Sequence, residues 1–151
     1  MKRTTWLYAG AAAAASVALL AWAFAPRAVE VEVALARVCG LLGVDLAVLW
    51  QWSATSPGSL AATHFHYSQP GVAPPEPLRE EQFPWFLEQM LAGRVVALSS
   101  IEDLPPEATT DLENCRLFGV RSNLTLPLGL GGEAPLGALG LNTLNEPRDW
   151  S

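Results

Sequence analysis

Two histidines, His64 and His66, stand one residue apart. On a strand that spacing puts both imidazoles on one face, a geometry that suits a metal ion or a haem. No third ligand lies nearby in the sequence, so a pair on a pocket wall or facing solvent is the preferred reading. The two cysteines, Cys39 and Cys115, are far apart. Their spacing matches neither a disulfide framework nor a zinc site. Cys115 shares a helical face with Ala108 and Leu112, which is the setting of a packed thiol, and Cys39 reads the same way. Trp50, Trp52, Trp85 and Phe86 are candidates for a ligand pocket, with plain core packing as the competing role. Arg121 is placed to meet an anionic ligand or a surface acid. Gly129, Gly131 and Gly132 do not follow a strand and open a helix, so they form no phosphate loop. No metal site and no cofactor is expected.

These side chains need elements to hold them. The clearest runs from Gly119 to Leu144. Leu124, Leu126, Leu128 and Leu130 alternate with Asn123, Thr125, Pro127 and Gly129, the period of a strand with one apolar face. Gly131-Gly132 permits a tight reversal, and Leu139 and Leu141 return on one face. The expectation is an antiparallel hairpin with the chain from about Leu35 onward packed on its leucine side. Upstream, 35–42 is a short helix stopped by Gly43. Leu46, Val48, Trp50 and Trp52 mark a first strand, and 61–67 a second. In that second strand Thr63, Phe65 and Tyr67 oppose His64 and His66. Four prolines make 69–77 a loop. Phe83, Phe86, Leu87, Met90 and Leu91 follow the helical stripe, with Pro84 in the first turn and Gly93 past the end. Residues 95–98 form a short strand. Ala108, Leu112 and Cys115 mark a last helix, stopped by Gly119.

The N-terminus differs in character. Lys2 and Arg3 precede an uncharged stretch, 6–25, long enough to span a bilayer core. Trp6, Tyr8, Trp22 and Phe24 sit at its two ends, where interfacial aromatics belong. An uncleaved anchor is preferred over a cleaved signal peptide, because the run is long and Pro26 would follow the cut. The expected location is a single-pass anchor in the inner membrane, with the side of the folded domain open. Val29, Val31 and Val33 alternate with polar or small residues and suggest a short strand. The segment APRAVEVEVA after the anchor resembles the opening of periplasmic adaptor subunits of efflux pumps.

The chain has 151 residues, of which 50% are hydrophobic and 16% charged, so a single core-forming domain follows the anchor. A net charge of -6 argues against nucleic acid as a partner.

With the elements in that order, LLGVDLAVLWQWS, FPWFLEQMLAGRVVALSSIEDLP and GVRSNLTLPLGLGGEAPLGALGLNTL together resemble the GAF domain, of the type found in bacterial PAS/GAF sensor histidine kinases. The resemblance covers 35–151. It implies an α+β fold: an antiparallel sheet with flanking helices and a ligand pocket, preceded here by the transmembrane segment. The division is 1–33 for anchor and linker and 34–151 for a GAF-like domain, which lacks the long closing helix such modules carry. The sheet face that terminal helices cover would then be partly bare. The implied function is small-molecule sensing in signal transduction, without catalysis, as a piece of a sensor kinase. The implied partners are a small-molecule ligand, the membrane, and a second copy or a kinase output domain. Tetrapyrrole-binding GAF modules attach their chromophore through a cysteine, a role that the packed setting of Cys115 argues against. The cyclic-nucleotide signature of other GAF modules is not reproduced by Asp111, Glu113 and Asn114. Two other readings are a membrane-anchored interaction half-domain and a redox enzyme using Cys39 and Cys115.

Overall fold

The computed structural model describes residues 29–53, 55, 59–68, 75–129 and 134–150. The proposed anchor at 6–25 lies outside the described residues. Among the described residues, no helix is long and apolar enough to cross a membrane.

The first described element is a helix, α1, over 29–42. The strand expected at Val29, Val31 and Val33 is therefore corrected. The same letters carry a second period: Val31, Leu35, Val38, Cys39 and Leu42 recur every three or four residues. That stripe is the one that packs onto the sheet. Val29 and Val33 lie off the stripe and stay 60% and 46% exposed. An isolated strand would leave its backbone unpaired, whereas a helix satisfies its own.

The remaining elements are two hairpins and what joins them. Strands β1 (Leu46–Trp52) and β2 (Ser59–Tyr67) form one hairpin. Strand β3 (Leu78–Arg79) adds to its edge, and helix α2 (Pro84–Leu91) and strand β4 (Val96–Leu98) follow. Helix α3 (Thr109–Leu117) precedes the second hairpin, β5 (Ser122–Leu128) and β6 (Gly137–Thr143). The hairpins meet where β1 pairs with β6, giving a six-stranded sheet in the order β3-β2-β1-β6-β5-β4 with every neighbour antiparallel.

Three glycines stop the three helices. Gly43, Gly93 and Gly119 have φ of 61, 68 and 71°, the left-handed conformation that costs other residues most. Past each glycine the next amide reaches back to the helix: Val44 N–H to Cys39 O, Arg94 N–H to Gln89 O, and Val120 N–H to Cys115 O. This is the six-to-one closure that satisfies the last free carbonyls.

The leucine side of the hairpin does not carry the whole domain. Pairs Leu124↔Leu141 and Leu126↔Leu139 place these leucines on the face that also shows Ala47. Among the described residues, α1 and Trp150 pack there, with Leu35, Cys39, Val44 and Leu141 at the centre. Leu128 remains 39% exposed. Helices α2 and α3 lie over the opposite face, where Leu60, Leu87, Met90 and Ala138 form one cluster and Val96, Leu98, Ile101 and Cys115 another. Both faces are covered, so the polar side of β5 turns inward rather than to water.

One carboxylate ties the ends of this frame. Asp45 Oδ2 accepts the amides of Leu144 (2.7 Å) and Asn145 (3.2 Å), and Oδ1 accepts Asn145 Nδ2 (2.9 Å) and Ser68 Oγ (3.4 Å). Partial burial alone would raise its pKa, but these bonds outweigh it and hold the carboxyl below the usual carboxylate range. A depressed folded-state pKa stabilises the fold above the unfolded value of ~4, and this contribution is lost as pH falls through the lowered one. Asp45→Ala is expected to cost about 2 kcal/mol at neutral pH, the scale of bonds to a charged group, and much less in strong acid. Urea midpoints of both proteins across the acid range check this.

Candidate functional site

The inner face of the sheet and the two helices above it enclose a cavity of about 240 Å³. Its aromatic wall is Trp50, Tyr67, Phe83, Phe86 and Phe118. Leu46 and Leu60 from the strands and Leu87 and Met90 from α2 add to the apolar lining. The charged lining residues are Glu76 and Arg79, both exposed.

The roof stands on an internal cap. Helix α2 begins after Phe83, which offers no side-chain cap, with Pro84 in its first turn. Its free amides are taken instead by α3: Asp111 Oδ1 accepts Phe86 N–H (2.9 Å) and Oδ2 accepts Trp85 N–H (3.2 Å). Asn114 Nδ2 adds a bond to Gln82 O (2.8 Å), just before the helix. Asp111 is fully buried (0% exposed). Desolvation pushes its carboxyl above the ordinary value although the two amides pull the other way. Asp111 is therefore the residue that aims α2, and with it Phe83 and Phe86, at the cavity.

The floor is polar along one line. Thr125 Oγ1 donates to Asn123 Oδ1 (2.9 Å), and Asn123 Nδ2 donates to Asn142 Oδ1 (2.8 Å). Gly140 lies next to Asn142 on the same face, and the indole of Trp50 rests over it: a Cβ at Gly140 would stand 3.1 Å from Trp50 Nε1. A side chain there would push the ring into the cavity.

Of the candidate pocket residues singled out in the sequence, Trp50 and Phe86 line this cavity, and Trp52, Trp85, Arg121, His64 and His66 do not. Trp52 is one pleat further along β1, where its Nε1–H holds Pro135 O (3.0 Å) ahead of β6. Trp85 stands edge-on to Phe86, with centroids 5.4 Å apart, in the cluster under β4. Arg121 is exposed beyond the rim, its amide bonded to Thr143 O at 2.7 Å. His64 and His66 pair with Leu49 and Ala47, which puts both imidazoles on the α1 side of the sheet. Thr63 does not share a face with Phe65 and Tyr67; the register skips it between Leu49 and Trp50, and its hydroxyl bonds Leu49 O (3.2 Å) at a bulge. Among the described residues, no three His, Cys, Asp or Glu side chains converge on a metal-sized site.

The cysteines are free and buried in separate clusters, Cys39 under α1 and Cys115 under α3. Cys115 touches the cavity, but burial and then the charge of Asp111 push its thiol up to about 12. The thiolate is the nucleophile, so this thiol is inert at neutral pH. Iodoacetamide is expected to leave Cys115 unlabelled in the folded protein at pH 7 and to label it fully in urea. Peptide mass spectrometry reads both.

The sequence pattern missed Asn123, Thr125 and Asn142 as cavity residues. Their signal was present in the strand alternation, as the polar partners of the leucines. Asp111 carried no local signal, because the amides it caps are about 25 residues away.

No family model and no curated protein matches the chain. Solved structures do. The blue-light absorbing form of the Thermosynechococcus elongatus PixJ GAF domain superimposes with a TM-score of 0.64 at 20% identity, over 85% of this chain and 75% of that one. The phycocyanobilin-bound GAF domain of a cyanobacterial phytochrome gives 0.63 at 18% identity, over 80% and 71%. The GAF domain region of a Geobacter sulfurreducens PCA protein gives 0.60 at 17% identity, over 80% and 77%. Agreement of topology at such low identity is a statement about fold. The chain has a GAF-like fold.

Proposed function

We propose that this domain is a non-catalytic sensory module that takes a small molecule into the cavity between the sheet and helices α2 and α3. The observation that carries the reading is the cavity itself: an aromatic chamber with a hydrogen-bonded polar line on its floor, which is the composition of a small-molecule site. Trp50 and Phe86 are the ligand contacts among the residues singled out earlier. Solved neighbours of this fold include light-absorbing and phycocyanobilin-bound domains, which supports sensing as the role. In this reading residues 6–25 anchor the module in the inner membrane, and a kinase or a partner protein receives its output. Binding acts by favouring one of two arrangements of the helices against the sheet. The test is a thermal-shift screen of uncharged and charged metabolites on the full chain. A set of stabilisers whose effect disappears in Met90→Trp, which fills the cavity, supports the reading; no stabiliser at all defeats it.

A second reading has its own observation. Leu128, Leu136 and Val33 are 39%, 60% and 46% exposed. Leu128, on the leucine face of the ribbon, suits contact with a partner, with a second copy as the simplest. Sedimentation at high concentration tests it, and a strict monomer removes the second-copy version.

A further inference from the structure

Resting on the sensory reading, the chemistry of the cavity can be taken one step further. Four features constrain what fits.

The first is charge. Every deep lining residue is uncharged, and the two ionic ones, Glu76 and Arg79, are exposed. A carboxylate or phosphate taken deep into this chamber would lose its water and meet no cation there, since Arg79 stands at the exposed edge.

The second is size. About 240 Å³ compares with the roughly 150 Å³ of an apolar cavity that takes one benzene ring. That holds one or two fused rings. It does not hold an extended chain of several.

The third is shape. Trp50, Phe83, Phe86 and Phe118 present ring surfaces from the sheet, α2 and the turn after α3. Phe83 stacks on Phe118 with an interplanar angle of 27°. Flat aromatic guests gain most from such walls.

The fourth is the direction of the hydrogen bonds on the floor. The line Thr125 to Asn123 to Asn142 runs one way, and it consumes Asn142 Oδ1. Asn142 Nδ2 then has no acceptor among the described residues. The same holds for the Nε1–H of Trp50. Neither atom is sealed from the cavity in the manner of Trp150 Nε1. Both stand over one glycine: an atom at the Cβ position of Gly140 would be 3.1 Å from Trp50 Nε1 and 3.9 Å from Asn142 Nδ2. The bare Cα of Gly140 thus lets the indole edge settle close to the sheet, which brings the two N–H donors near one another on the cavity floor.

We infer that the cavity binds a flat, uncharged molecule of one or two rings whose edge carries a hydrogen-bond acceptor, a carbonyl or ring nitrogen, directed at the paired donors Trp50 Nε1–H and Asn142 Nδ2–H above Gly140. The acceptor gives orientation, and the rings supply the buried area.

The experiment is isothermal titration of the full chain with three probes of similar size: quinolinone, naphthalene and naphthoate. Quinolinone has the carbonyl, naphthalene lacks it, and naphthoate adds a charge. Quinolinone is expected to bind at least about tenfold more tightly than naphthalene, since the donors go unpaired in the naphthalene complex. Naphthoate is expected to bind more weakly than either. Two variants probe the donors. Asn142→Asp keeps the oxygen that Asn123 uses and replaces the donor by an acceptor. Trp50→Phe keeps a ring and removes the N–H. Each is expected to cut the ratio of quinolinone to naphthalene affinity about tenfold. Melting temperatures without ligand identify a variant that fails to fold, and the other then decides. Equal binding of quinolinone and naphthalene to the wild type overturns the inference, as does tightest binding by naphthoate. If no probe binds but a larger or charged compound from the screen stabilises the protein, this inference falls and the sensory reading stands. If nothing binds, both fall.

Discussion

Asp111→Ala should lower the melting temperature by about 12 °C. The change strands the amides of Trp85 and Phe86 at the start of α2, which Asp111 holds from α3 at 3.2 and 2.9 Å. A buried donor without a partner costs about 1–3 kcal/mol, so the pair amounts to about 3 kcal/mol. For a domain of this size each kcal/mol is about 4 °C. The offsetting effect is that the carboxylate was itself expensive to bury: desolvation is the largest influence on its raised pKa. Asp111→Asn separates the two effects, because the amide keeps one acceptor oxygen without the charge, and about half the loss is expected. The pH dependence separates them again. A carboxyl whose pKa is raised on folding makes the native state bind protons more readily. Its contribution is therefore full below the unfolded value of ~4 and declines as pH rises through the higher folded one. Wild type should show that decline and Asp111→Asn should not. This is the reverse of the trend at Asp45. An Asp111→Ala protein within 1 kcal/mol of wild type would mean that burial of the charge cancels the cap altogether.

Leu141→Ala is the second large effect. Leu141 is 2% exposed and sits with Leu35 and Cys39 at the contact between α1 and the sheet. Removing a buried leucine side chain costs about 2–5 kcal/mol, and more when the site cannot collapse. Here the surroundings are a strand held on both sides by β1 and β5 and a single helix above it. The helix is the part that can adjust, so about 3 kcal/mol is expected. Hydrogen exchange in 35–42 should quicken more than exchange in α3, whose core lies on the other face. Leu128→Ala, on the same side but 39% exposed, should cost well under 1 kcal/mol. Equal losses at the two leucines would mean that the bare part of the ribbon is covered in solution. Chemical denaturation of the three proteins gives the comparison.

Much of the frame was legible because its signals are local. The stripe of Phe83, Phe86, Leu87 and Met90 located α2, and the glycines at 43, 93 and 119 located three helix ends. The alternation at 46–52 and 122–128 located two of the inner strands. What failed were the inferences that needed a second surface. Val29, Val31 and Val33 fit two periods, and only the sheet beneath α1 decides between them. The leucine side of β5 is the side expected to carry the whole domain, which leaves the asparagine side no packing role. It faces α2 and α3 instead, and the cavity chemistry sits there. The imidazoles of His64 and His66 do share a face, yet whether that face is the cavity or α1 depends on which strand pairs with β2 and how. Asp111 reaches across to a helix about 25 residues back, and no pattern along the chain announces a bond of that span.

Asp45 has one more consequence. Leu144 touches the cavity, and its amide is gripped by the Asp45 carboxylate two positions after Gly43, where α1 stops. The chamber and the helix thus pull on one joint. That joint is made of polar bonds, so it is stiff where the carboxyl is ionised and slack once it takes a proton. Acid should loosen the linkage while the sheet still holds, with the Leu144 amide exchanging early and that of Val48 late.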